Sequence, residues 1–310
     1  MTRIRDLLRA TPPMRFARAF AQVQAQLERL QLSVGRLEGL ARGREGGAFE
    51  AREFRVFSQW GEDGLIDYLV SRVPIERPWF VEFGVEDYRE ANTRYLLMNR
   101  NWRGLVIDGS EANVRSVKAE DISWRFELEA RCAFVTRDNI NALLGEAGFT
   151  GDLGLLSIDI DGNDYWVWEA IDVVSPRIVV VEYNSLWGPT AAVTVPYDPA
   201  FVRGQKHHSN LYYGASLTAL ARLGSRKGYT LVGGNSAGNN AFFVRDDLRG
   251  SLPAVSPAHA YRRAAFREGR DAAGALTLVD FTSRLRSVAH LLVHDLDSGC
   301  EVTIGSLGSQ

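Results

Sequence analysis

Four apolar runs between residues 79 and 184 set the pattern of this chain, and polar residues sit at or near the end of each. They are Phe80-Val81-Glu82-Phe83-Gly84, Gly104-Leu105-Val106-Ile107-Asp108, Leu155-Leu156-Ser157-Ile158-Asp159-Ile160-Asp161 and Ile178-Val179-Val180-Val181-Glu182-Tyr183-Asn184. Runs apolar on both faces predict strands inside a parallel sheet covered by helices. Helical patterns fall at 93–101, 113–119, 139–147 and 165–171, and a further strand is expected at 132–136. Beyond Asn184 an irregular stretch runs to Asn210. A helix at 216–227 and strands at 229–233 and 241–245 follow, with an amide-rich turn between the two strands. Repeated βα units ending in a strand–turn–strand pair predict a doubly wound α/β sheet, Rossmann-like and mostly parallel, of seven strands with an antiparallel edge. Residues 259–270 resume a helical pattern, and the rest of the C-terminal region is poorly patterned.

Residues 1–45 follow a different period. Phe16, Phe20, Val23, Leu27, Leu30, Val34, Leu37 and Ala41 alternate spacings of four and three, which is a heptad seam. Pro12-Pro13 can start this helix, and Gly43 with Gly46-Gly47 can end it. The pattern fits a coiled coil between copies of the chain or an amphipathic helix lying on its own domain. The arginines at 3, 5, 9, 15 and 18 add a third option, weak contact with a membrane surface. Three segments result: an N-terminal helix over 1–45, an α/β domain over 46–250, and a helical and irregular appendage over 251–310.

Composition narrows the function classes. A formal net charge of −2 over 310 residues gives no global reason to expect a nucleic-acid partner. The two cysteines, Cys132 and Cys300, are too few and too far apart for a zinc ribbon or a disulfide framework, and they fit a reducing, cytoplasmic setting. No apolar run reaches the ~20 residues of a transmembrane segment.

Parallel sheets bind ligands at the carboxyl ends of their strands. Here those ends are Glu82, Asp108, Asp159 with Asp161, and Glu182 with Asn184. Gly84 stands alone where a dinucleotide fingerprint needs three glycines, so a pyrophosphate cradle is not expected. A single glycine still allows close approach of a ligand without pyrophosphate, such as S-adenosylmethionine, whose cationic groups suit Glu82. Asp108, about two dozen residues further on, either accepts from ribose hydroxyls or caps the next helix, unless Ser110 does. Asp138 falls where an adenine amino group would be read, or is itself a helix cap.

Asp159 and Asp161 share one side of their strand, and two carboxylates that close repel unless a cation or a proton intervenes. They can orient a methyl donor, act as a base, or hold a metal such as Mg²⁺ together with Glu182. Tyr183, Asn184, Trp187, Tyr212 and Asn239 combine rings with amides, as a sugar pocket requires. His207 and His208 lie in the same long stretch and are candidate bases for deprotonating a hydroxyl.

The seven-strand layout is that of class I methyltransferases. Residues from about 54 to 245 resemble the FkbM-type members of that class. The likeness is carried by Ser58-Gln59-Trp60-Gly61-Glu62-Asp63, Phe80-Val81-Glu82-Phe83-Gly84 and Ser157-Ile158-Asp159-Ile160-Asp161-Gly162. It implies a methyltransferase using S-adenosylmethionine and acting on a hydroxyl, often of a sugar, which points to surface-glycan biosynthesis. It implies that Gln59, Asp63, Glu82 and Gly84 lie toward the cofactor, Asp108 toward the ribose, and Asp159 or Asp161 toward the reaction centre. The shortened glycine loop keeps a second reading open, a non-catalytic carbohydrate-binding or scaffold protein on the same fold.

Overall fold

The computed structural model describes residues 12–42 and 47–307. Helix α1 (Pro12–Arg42) carries two stripes. One stripe lies on the body of the protein. Its Leu32 packs with Phe54, Val56, Phe57 and Tyr95. A Cβ on Gly35 would fall 2.5 Å from a Val56 methyl, so the helix approaches more closely there than any other residue would allow. The other stripe is the heptad seam, and it faces solvent: Leu30 is 61% and Leu37 67% exposed. The helix therefore lies on its own domain with the face opposite to the seam. Gly43, Gly46 and the arginines at positions 3, 5 and 9 fall outside the described residues.

The body follows as α2 (Glu62–Arg72), β1 (Trp79–Phe83), α3 (Arg94–Arg100), β2 (Arg103–Asp108), α4 (Glu111–Ala119), β3 (Leu128–Cys132) and α5 (Ile140–Glu146). Then come β4 (Gly151–Ile158), α6 (Asp164–Ala170), β5 (Val174–Glu182), β6 (Val193–Thr194), α7 (Leu217–Arg226), β7 (Tyr229–Gly234) and β8 (Asn240–Arg245). The main sheet has the order β3-β2-β1-β4-β5-β8-β7. Strands β1 to β5 are parallel, and β8 runs antiparallel to both of its neighbours. Neighbouring residues of each strand enter opposite cores. Val81, Ile107, Leu156 and Val181 meet Ile140, Trp168 and Leu220, whereas Phe80, Val106, Leu155 and Val180 meet Leu65, Leu69 and Leu96. Each large apolar side chain so buried contributes about 1.5–3 kcal/mol. That double burial is why these strands read as unbroken apolar runs. The chain leaves β1 toward β3 and returns to β4 on the other side, so the sheet's switch point lies between β1 and β4.

After β8 come α8 (Phe281–Val288), β9 (Leu292–Asp295) and β10 (Glu301–Thr303). Strands β9 and β10 join β6 in a small antiparallel sheet. A third core of Trp187, Val195, Phe201, Tyr212, Val288 and Val293 lies with it. Two expectations are corrected. Strand β3 covers 128–132 rather than 132–136, because the apolar Ala133-Phe134-Val135 lines a cavity instead of pairing. Residues 261–270 are not helical, since the helix begun at Pro257 ends at Ala260. Among the described residues no helix is long and apolar enough to cross a membrane.

Candidate active site

At the carboxyl ends of β1, β2, β4 and β5 lies a cavity of about 590 Å³. Gly84 is part of its lining. Its φ is +70°, and a Cβ there would sit 1.7 Å from the Asp159 carbonyl oxygen, so the ends of β1 and β4 meet backbone to backbone. Glu82 lies beside it, but its oxygens already have partners. It accepts from Asn92 N at 2.8 Å, from Thr93 N at 3.0 Å and from the Thr93 hydroxyl. Glu82 thus pins the loop that follows β1. Burial pushes its carboxyl up to about 7, against the pull of those donors.

Asp108 braces the same loop from β2. Its Oδ2 accepts from Glu86 N at 2.9 Å, and its Oδ1 accepts from Ser110 N at 2.8 Å and Asn113 Nδ2 at 3.1 Å. Ser110 caps α4. A carboxylate has about four acceptor sites, so Asp108 keeps one free on the Oδ2 side, and the residue lines the cavity.

The run after β4 divides its labour. Asp164 accepts from Ile160 N at 2.8 Å and Gly162 N at 2.9 Å, closing the loop from below, and burial pushes it up to about 6. Asp159 and Asp161 line the cavity with Glu182 of β5, and oxygens of the three lie within 4.8 Å of one another. Burial and mutual repulsion push Asp159 and Glu182 well above the usual carboxylate range. Asp161 has φ +56°, the left-handed region that most side chains avoid.

Three residues that the sequence patterns did not single out complete the wall: Arg203, Phe266 and Glu268. Arg203 pairs with Asp161 and Glu268, donates to the Asn210 carbonyl, and lies 3.8 Å over the Tyr213 ring. Phe266 stacks on Trp60 at 5.4 Å with the rings 16° apart. No local signal marks them, because the carboxylate partners of Arg203 lie 42 and 65 residues away in the chain and Phe266 stacks on the distant Trp60. The described lining holds eight carboxylates, those of Glu82, Glu86, Glu90, Asp108, Asp159, Asp161, Glu182 and Glu268, against the single cation of Arg203.

Gln59 and Asn239 also line the cavity, whereas Asp63 does not. Asp63 Oδ2 accepts from the backbone of Val56, Phe57 and Ser58, tying down the segment that carries Trp60. Asp138 lies at the surface, where it accepts from the Tyr197 hydroxyl at 2.6 Å. The aromatic and amide residues after β5 turn away from the cavity. Tyr183 donates to the Arg262 carbonyl, and Asn184 Nδ2 donates to the carbonyls of Leu211 and Tyr213. Trp187 and Tyr212 belong to the third core. Their hydroxyls, amides and rings serve buried loop backbone and packing rather than a ligand. His207 and His208 stack on each other at 4.2 Å beside His290 and do not line the cavity. The helical turn at 203–206 directs Arg203 inward and carries the histidines past it.

No protein-family model matches this sequence, and no curated protein matches it. Solved structures with a similar arrangement include an S-adenosylmethionine-dependent methyltransferase from Clostridium acetobutylicum, 12% identical, with a TM-score of 0.31 over 44% of this chain and 56% of that one. TehB from Haemophilus influenzae is 10% identical, with a TM-score of 0.34 over 55% of this chain and 58% of that one. The CurJ carbon methyltransferase is 12% identical, with a TM-score of 0.37 over 59% of this chain and 52% of that one. The chain thus spans between half and three fifths of the length of each. By its own strand order, with β8 reversed between β5 and β7, this chain has the class I methyltransferase fold.

Proposed function

We propose that this chain transfers a methyl group from S-adenosylmethionine to a hydroxyl, with a sugar of a surface glycan as the acceptor class. The observation that carries this reading is the acidic lining of the cavity at the switch point. Eight carboxyl groups, three of which (Glu82, Asp159 and Glu182) burial pushes toward the protonated form, stand against one guanidinium. Such a wall repels pyrophosphate and attracts a cationic ligand. The residues fit the cofactor. Gly84 lets the ends of β1 and β4 close together at the cavity, Asp108 has a free acceptor site for a ribose hydroxyl, and Ala133, Phe134 and Val135 offer an apolar wall for a base. S-adenosylmethionine supplies an electrophilic methyl on a sulfonium. The protein's part is to align the acceptor and take one proton. Its described cavity lining contains no histidine, lysine or tyrosine, so that proton passes to one of the lining carboxylates. Trp60, Phe201 and Phe266 are the rings available to a sugar's CH faces.

The test is calorimetry with S-adenosylhomocysteine on the wild type and Asp108→Asn, a change that keeps the side chain's shape and one acceptor oxygen. Affinity should fall about tenfold or more in the variant, in line with a lost charge-assisted bond of ~1.5–3 kcal/mol. Thermal shifts with NAD and a sugar nucleotide run alongside. Stabilisation by NAD and none by S-adenosylhomocysteine would overturn the reading.

We also propose that α1 pairs with α1 of a second copy. Its solvent-facing seam holds seven large apolar side chains, each more than half exposed, an apolar stripe of the kind that a partner helix covers. The flanking Gln24, Gln26, Gln31 and Ser33 are neutral, so two identical helices meet without like-charge repulsion.

A further inference from the structure

Three carboxylates with oxygens within 4.8 Å of one another need a positive charge, and Arg203 meets only one of them, Asp161. The remaining arms of Arg203 are held by Glu268 and the Asn210 carbonyl. A separate sign comes from oxygens that lack a donor. Glu182 Oε2 is buried without a hydrogen-bond partner. So are Asn163 Oδ1 and Asn240 Oδ1, on two residues that line the same cavity and are 3% and 4% exposed. Both amides are fixed in orientation by what their nitrogens hold. Asn163 Nδ2 donates to the Asp198 carbonyl at 2.7 Å, and Asn240 Nδ2 donates to Glu62 Oε1 at 3.0 Å. Asn240 stands directly across the ladder from Glu182. A buried acceptor left without a donor costs about 1–3 kcal/mol, and the cavity walls collect three of them. A metal cation, like a donor such as water, satisfies such acceptors, and only the cation also offsets the charge of the three carboxylates.

We propose that Asp159, Asp161 and Glu182 bind one divalent metal ion of the oxygen-preferring class, Mg²⁺, Mn²⁺ or Ca²⁺. The donor set is all oxygen, with no thiolate or imidazole, which disfavours zinc and copper. Three carboxylates against a divalent ion leave one negative charge beside the Arg203 guanidinium, which Glu268 shares. The ion's role rests on the methyl-transfer reading: it holds the acceptor's hydroxyl oxygen and favours its deprotonated form. The binding of the ion does not rest on that reading.

Mn²⁺ is the probe, because its paramagnetic resonance signal reports the free ion directly. The wild type should bind one Mn²⁺ per chain below millimolar concentration and gain thermal stability from it. Glu182→Gln keeps the side chain's shape, and Asp161→Asn alters a half-exposed residue. Each should weaken Mn²⁺ binding about tenfold or more and abolish the thermal gain, while both variants keep the wild-type circular dichroism. Absence of Mn²⁺ binding by the wild type, as expected if the orphan oxygens hold only water, overturns the proposal. So does equal affinity in all three proteins. Calorimetry with S-adenosylhomocysteine separates the two ideas. Cofactor without Mn²⁺ removes the metal site and leaves the methyltransferase. Mn²⁺ without cofactor supports the site and removes the activity.

Discussion

A methyl group at position 84 has nowhere to go. It would overlap the Asp159 carbonyl oxygen, on a backbone already at φ +70°. Gly84→Ala should therefore cost about 3 kcal/mol, through strain and forced separation of the β1 and β4 ends, and should lose cofactor binding with it. Chemical denaturation and calorimetry on the same sample check both losses. Buried carboxylates give a second residue-level expectation. Glu82 is pushed up to about 7 and Asp63 to about 6 by burial. Both values lie above those of the unfolded chain, so the folded protein binds more protons between about pH 4 and pH 7. Their contribution to stability is full below the unfolded values and is lost as the pH rises through the folded ones. The melting temperature should accordingly fall between about pH 5 and pH 8. Glu82→Gln should flatten that slope, at some cost in absolute stability, because an amide nitrogen cannot accept from Asn92 or Thr93. An unchanged slope in the variant would remove Glu82 as its source.

Helix α1 makes its own prediction. Leu27 and Leu30 lie in the seam, away from the Gly35 face that touches the body. Replacing both with Glu should give monomers by light scattering and leave the stability of the body within ~1 kcal/mol of wild type. A wild type that is already monomeric would refute the pairing. The two faces of this helix also show how legibility works at this scale. The seam stood out in the sequence because it is large and apolar. The docked face did not, because it is built of Leu32 and two glycines that act by being small. Strands β1, β2, β4 and β5 were legible because they are buried on both sides. Edge strand β3, with Glu129 and Arg131 in its middle, was not, and the apolar Ala133-Phe134-Val135 beside it took its place in the pattern. The site divides in the same way. Carboxylates at strand ends could be placed by the topology rule alone. Arg203, Phe266 and Glu268 come from segments without regular period, which tertiary contacts bring over the cavity.

For the whole molecule, the C-terminal region is part of the site rather than a bystander. It supplies Phe266 and Glu268 to the cavity wall and β9 and β10 to the sheet that holds the stretch after β5. The Trp60–Phe266 stack joins the start of the α/β body to this late segment. The acidic lining has a further consequence under the proposed chemistry. Transfer of the methyl turns a sulfonium into a thioether, so the spent molecule leaves with one positive charge fewer than it brought. Walls that favour the incoming form hold the outgoing one less firmly, so electrostatics eases release of the spent cofactor and its exchange for a fresh one.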